Sequence, residues 1–111
     1  MNNPFIVLKD QQLSSVVFVQ DYLQLDFDGY TATFYMWPIV ILSEKKFAIT
    51  DREYRNALCS LISKKVIDIL FMEDELLSII FQFGEKVEIS LKNPNAEIVY
   101  FTTPEGEWSS I

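Results

Sequence analysis

The sequence predicts an α+β fold: a mostly antiparallel, twisted sheet of about six or seven strands packed against one central helix over about residues 51–63. Three observations predict it. Several segments alternate apolar and polar residues with the two-residue period of a half-buried strand. Short turn signals separate those segments, Asp28-Gly29 foremost. One segment only, Tyr54 to Ile62, carries a clear helical period. The 111 residues are read as a single domain, 1–111.

Residues 1–13 read as an N-terminal arm or irregular edge segment, because the apolar run Phe5 to Leu8 gives way to polar Lys9 to Gln12. Val16 to Gln20 is the first strand. Tyr22 to Phe27 is the second, with Leu23, Leu25 and Phe27 on one face and Tyr22, Gln24 and Asp26 on the other. Only Asp21 lies between them, so they are either two strands or one long strand with a bend. After Asp28-Gly29 the chain returns through Thr31 to Trp37, rich in Thr and aromatic residues. Pro38 ends that strand, and Ile39 to Leu42 adds a short one.

The helix follows. Thr50 and Glu53 have capping-box spacing, and Ile49 and Tyr54 that of a hydrophobic staple. Tyr54, Ala57, Leu58, Leu61 and Ile62 form the apolar stripe, with Arg52, Arg55, Asn56 and Ser60 opposite. Lys64 and Lys65 sit at the C-terminal end, where the helix dipole favours cations. Val66 to Met72, Leu76 to Phe83 and Lys86 to Leu91 then form a meander. Val66 to Met72 is apolar on both faces, which places it at the centre of a sheet or under a cover. A turn at Asn93-Pro94-Asn95, a strand from Glu97 to Thr102, a turn at Pro104-Glu105-Gly106 and the segment Trp108 to Ile111 complete the chain.

Composition excludes several chemistries. The chain has no histidine, which removes imidazole acid, base or metal-ligand roles. Its one cysteine, Cys59, forms neither an intrachain disulfide nor a multi-thiolate zinc site, and is expected as a buried or half-buried inert thiol. A formal charge of -7 opposes broad contact with nucleic acid backbones or acidic membranes and favours a basic protein partner. No apolar stretch reaches the ~18–20 residues of a membrane helix. The first residues lack the basic lead of a secretory signal, so a cytoplasmic location is expected. No phosphate-binding or dinucleotide motif occurs, and all three glycines fall in turns. The expectation is a non-enzymatic protein with no catalytic residue, cofactor or metal.

Two groups stand out as contact candidates. Tyr22, Tyr30, Tyr35 and Trp37 lie on or near the first hairpin, and alternation leaves an aromatic ring on each face of its return strand. Such rings are enriched in interface hot spots. Glu73, Asp74 and Glu75 form an acidic turn, either solvated or a docking knob for a basic partner. Asp68 interrupts an apolar strand; if covered, its charge needs a partner such as Lys86 or a tyrosine, and otherwise it marks an exposed sheet edge. Asp21, Asp26 and Asp28 cluster in sequence, but Asp21 and Asp26 fall on opposite faces of a regular strand and Asp28 belongs to the turn.

The run Val17-Phe18-Val19-Gln20-Asp21-Tyr22-Leu23-Gln24-Leu25-Asp26-Phe27-Asp28-Gly29, then Tyr35-Met36-Trp37-Pro38, the segment Tyr54 to Ile62, and Val99-Tyr100-Phe101 with Glu107-Trp108 carry a resemblance. It resembles a family of small uncharacterised bacterial proteins of about this length, some of them similar to immunity proteins encoded near polymorphic toxins. The resemblance implies a bacterial cytoplasmic protein and assigns no catalytic or ligand residue. The expected function is a protein-binding module of immunity-like kind. The alternatives are a structural homodimer, and a small-ligand binder or enzyme using Tyr, Asp and Arg.

Overall fold

A computed structural model describes residues 3–93 and 96–111. The strands β1 (Ser15–Phe18), β2 (Leu23–Phe27) and β3 (Tyr30–Phe34) run up and down as hydrogen-bonded neighbours. Asp21 is therefore part of a reversal between two paired strands, closed by the Val19 N–H donating to the Tyr22 carbonyl at 2.9 Å. After β3 the chain crosses through Tyr35–Pro38 into a different sheet, where β4 (Ile39–Leu42) pairs with β5 (Lys45–Phe47). The helix α1 (Tyr54–Cys59) follows. Next come β6 (Val66–Met72), β7 (Leu76–Phe81) and β8 (Lys86–Ser90), the expected meander. The chain then crosses back, so that β9 (Val99–Thr102) pairs with β3, and β10 (Trp108–Ser110) with β9. Of the predicted Asn93-Pro94-Asn95 turn, Pro94 and Asn95 lie outside the described residues.

This corrects the expected architecture. The described residues form two five-stranded antiparallel sheets, ordered β1-β2-β3-β9-β10 and β5-β4-β8-β7-β6, in place of one sheet of six or seven strands on a helix. Alternation tells each strand which residues turn inward, but it does not tell which sheet the strand joins. Both sheets turn their apolar faces to one shared core. Leu23, Leu25, Phe27, Phe34 and Phe101 come from the first sheet, and Val40, Leu77, Ile79, Phe81 and Val87 from the second. Phe27 and Phe81 stack across the gap, centroids 6.5 Å apart.

Short segments seal the sides. Residues Pro4–Leu8 form a 3₁₀ turn with Pro4 at its start and the Asn3 side chain accepting from the Phe5 N–H at 3.1 Å. Phe5 inserts between Phe71 of the second sheet and Phe101 of the first, at 5.8 and 5.1 Å. Phe5, Leu8 and Leu13 are fully buried, so the segment read as an arm contributes to the core. Residues 10–13 also tie to residues 63–66: the Leu13 N–H donates to the Lys64 carbonyl, and the Ser63 N–H to that of Leu13.

The helix is shorter than the expected 51–63. It has six residues, and Glu53 at its N-cap makes no side-chain capping bond. The Thr50–Glu53 capping box does not form. Residues 50–53 instead make a turn in which the Asp51 carboxylate accepts from the Ala48 N–H at 2.7 Å. Tyr54, Ala57, Leu58 and Leu61 are buried as the stripe requires, whereas Ile62 is exposed where the chain turns toward Ser63 (φ 77°). Cys59 is exposed, contrary to the buried or half-buried thiol expected. The strand β6 also departs from expectation. It is the last strand of the second sheet, and Ile67, Leu70 and Met72 are exposed.

Candidate functional site

The outer face of the first sheet carries the site. Leu23, Leu25 and Phe27 turn inward, so Tyr22, Gln24 and Asp26 turn outward. On β3 the inward residues are Ala32 and Phe34, which leaves Thr31 and Thr33 outside and Tyr35 just beyond the strand end. Register then aligns two outer rungs. Gln24 lies beside Thr33, Thr33 beside Tyr100, and Tyr100 beside Ser110. The next rung runs Asp26, Thr31, Thr102 and Trp108.

Two aromatic pairs flank this floor. Tyr22 and Tyr35 meet at 6.1 Å between ring centroids, tilted by 57°. Tyr100 and Trp108 stack at 5.9 Å on the diagonal of the β9–β10 ladder. Tyr35 is 43% exposed and Trp108 65%. Between the pairs lies an open concavity of about 550 Å³ lined by Tyr22, Gln24, Thr31, Thr33, Tyr35, Tyr100 and Thr102. Its lining contains hydroxyl and amide groups and no charge. The floor is fixed by its own hydrogen bonds: the Gln24 amide donates to the Thr33 hydroxyl at 3.3 Å, and the Thr31 hydroxyl to the Asp26 carboxylate at 3.3 Å. The Asp26 carboxylate also accepts from the Gly29 N–H at 3.3 Å, which ties it to the hairpin turn.

The chain matches no known family, no curated protein and no solved structure.

Of the aromatic candidates, the structure brings Tyr22 and Tyr35 together on this face. Tyr30 belongs to the inner side, where it stacks on Phe101 at 6.3 Å. Trp37 is half-buried against the core, edge-on to Tyr54 at 6.4 Å. Glu73, Asp74 and Glu75 are exposed at the β6–β7 turn, with Asp74 in the left-handed region (φ 61°). Glu73 and Asp74 line a separate cavity of about 250 Å³ with Phe71, Leu91 and Ile98, and that lining shares no residue with the aromatic face.

Sequence reasoning missed Tyr100, Trp108, Gln24 and Thr33. The alternation of Tyr100 with buried Val99 and Phe101 already implies an outward ring. Its placement beside Thr33 depends on the pairing of β9 with β3, which local pattern does not encode. Among the described residues, no three His, Cys, Asp or Glu side chains gather as a metal site, and no helix is long and apolar enough to cross a membrane.

Proposed function

We propose that the chain is a non-enzymatic protein-binding module of immunity-like kind, and that the outer face of the first sheet is its contact surface. The observation that supports this is two aromatic pairs, partly buried Tyr22 with exposed Tyr35 and partly buried Tyr100 with exposed Trp108, on either side of a concavity lined by hydroxyl and amide groups. Tyr and Trp side chains bury large area at low entropic cost and dominate binding energy in interfaces. The Thr and Gln groups between them supply hydrogen bonds to a partner backbone. Exposed Asp21 and Asp28 bracket β2, and the chain's -7 charge steers a basic partner toward it.

The test is co-expression with the product of the adjacent gene, followed by titration. Tyr35→Ala and Trp108→Ala each weaken binding by roughly tenfold or more while leaving the melting temperature unchanged. Asp21→Asn with Asp28→Asn slows association and flattens its salt dependence. Unchanged affinity in the Tyr35→Ala, Trp108→Ala double variant removes this face as the contact surface. The uncharged, hydroxyl-rich lining favours a second reading, a neutral polyhydroxylated small ligand. Calorimetric titration with neutral trisaccharides checks it; saturable heat that Tyr35→Ala abolishes supports that reading over a protein partner.

A further inference from the structure

An edge strand turns half of its backbone N–H and C=O groups away from the ladder, where they need water or another chain. Among the described residues, three of the four sheet edges are guarded. Along β6 the Asp10 N–H donates to the Val66 carbonyl, the Val66 N–H donates to the Gln11 carbonyl, and the Asp68 carboxylate accepts from the Ile69 N–H at 2.9 Å. The helix α1 packs beside β1, with the Arg55 guanidinium 5.7 Å from the centre of the Phe18 ring. Strand β5 is three residues long and carries exposed Lys45 and Lys46. The fourth edge, β10, has no such guard. The Thr103 N–H donates to the Glu107 carbonyl, and Val99 and Ile111 exchange both of their N–H to C=O bonds. By alternation Ser109 bonds to Phe101, and the N–H and C=O of Trp108 and Ser110 point away from β9. Among the described residues nothing hydrogen-bonds to these four groups.

Both ends of this edge are acidic. Trp108 and Ser109 line a cavity of about 220 Å³ with Glu107, and Ser110 lines the cavity of about 250 Å³ with Glu73 and Asp74. Neither lining contains Lys or Arg, and among the described residues none of these three carboxylates enters an ion pair. We propose that an extended segment of a protein partner, basic at both of its ends, pairs with β10 as a sixth strand of the first sheet. The inference rests on the outer face of that sheet being the contact surface, because Trp108 belongs to both. Outward backbone groups at a two-residue spacing match one extended chain, as in strand addition to a sheet edge. A second copy of this chain does not fit. Antiparallel pairing of β10 with itself brings the Glu107 end of each copy to the Glu73 and Asp74 end of the other. Parallel pairing brings Glu107 to Glu107. Like charges meet in both directions, whereas a segment with basic ends meets a carboxylate in both. Charge thus selects the occupant.

The added strand prolongs the outer face. Its alternate side chains stand beside Trp108 and Ser110, which extends the aromatic floor by one strand spacing of about 4.8 Å. The others lie on the Ser109 side, above Pro4 and Val7, where Val7 is 42% exposed. Main-chain bonds then supply affinity without reading sequence, and selection falls to the Trp108 ring on one face and Val7 on the other.

Titration and amide hydrogen exchange of the isotopically labelled full chain test this. The probe is an acetylated, amidated peptide of about eight residues, with lysines at both ends and alternating threonine and valine between them. The peptide saturates the chain and slows exchange at the Trp108 and Ser110 amides, while the Ser109 amide, already bonded to β9, is unchanged. Ser110→Pro removes one outward N–H without touching the ladder to β9, and weakens binding by about tenfold or more at an unchanged melting temperature. A peptide with glutamates in place of the lysines does not bind. Nor does one N-methylated throughout its centre, which keeps the charge and loses strand pairing. No saturable binding up to about 1 mM peptide overturns the inference. Binding that leaves both amides exchanging freely overturns it as well, as does full affinity in Ser110→Pro. The exchange readout uses the wild type, so it decides the matter even where Ser110→Pro does not fold. Failure of the peptide, with binding of the co-expressed partner still weakened by Tyr35→Ala, overturns the edge alone. Protection of the two amides, with partner binding insensitive to the Tyr35→Ala, Trp108→Ala double variant, supports the edge and overturns the face.

Discussion

Tyr54 shows how one hydroxyl can fasten two parts of a fold. The ring is fully buried, and its hydroxyl donates to the Pro38 carbonyl, which lies where the chain passes from the first sheet to the second. Burial pushes the hydroxyl's pKa far above its ordinary value, with Arg55 opposing weakly, so it remains a donor across the working pH range. Tyr54→Phe leaves the buried carbonyl without its donor and destabilises the chain by about 1–2 kcal/mol, read by urea unfolding with an unchanged slope. The sequence placed Tyr54 correctly in the core. It assigned the contact to a staple with Ile49, because the crossing at Pro38 is set by long-range pairing. Glu85 gives the pH-dependent case. Burial works against its carboxylate, but the N–H groups of Glu85 and Phe83 and the Lys64 ammonium at 3.2 Å outweigh that cost and hold its pKa below the usual range. A depressed folded pKa adds stability that is present at neutral pH and lost as pH falls through the folded value. The stability gap between wild type and Glu85→Gln is therefore constant near pH 7, under about 1 kcal/mol, and closes below about pH 4.

Among the elements, the 3₁₀ turn at Pro4–Leu8 contributes more than its length suggests. Phe5 touches an aromatic ring from each sheet, so Phe5→Ala opens a cavity at the joint between them. The expected cost is about 3–5 kcal/mol in denaturant unfolding. Leu8→Ala, equally buried but without the two ring contacts, costs less, about 2–4 kcal/mol. The strands were the most legible elements. Alternation in Leu23–Phe27 and Lys86–Ser90 matches their inward and outward faces residue by residue. The helix was legible by its buried stripe and illegible at its ends. Capping spacing at Thr50 and Glu53 is satisfied in sequence, yet the backbone turns there and Asp51 takes the local N–H instead. Val66–Met72 was misplaced for a related reason. Its two apolar faces suggested a central or covered strand, while the structure makes it an edge with one face open.

For the molecule as a whole, the two sheets share one set of buried side chains, so neither has a core of its own. Unfolding by heat and by urea is expected as one cooperative transition, with tryptophan fluorescence and far-UV circular dichroism giving coincident curves. Separated transitions would show that the sheets melt independently. The candidate site was only half legible because its two walls come from distant parts of the chain: Tyr22 and Tyr35 from the first hairpin, Tyr100 and Trp108 from the last strands. The same topology governs synthesis. During translation, β1, β2 and β3 emerge early, yet the neighbour that completes their sheet, β9, is made after every strand of the other sheet. Until residues 99–102 are made, the backbone edge of β3 lacks the strand that pairs with it, so the first sheet closes only after the whole second sheet has been synthesised.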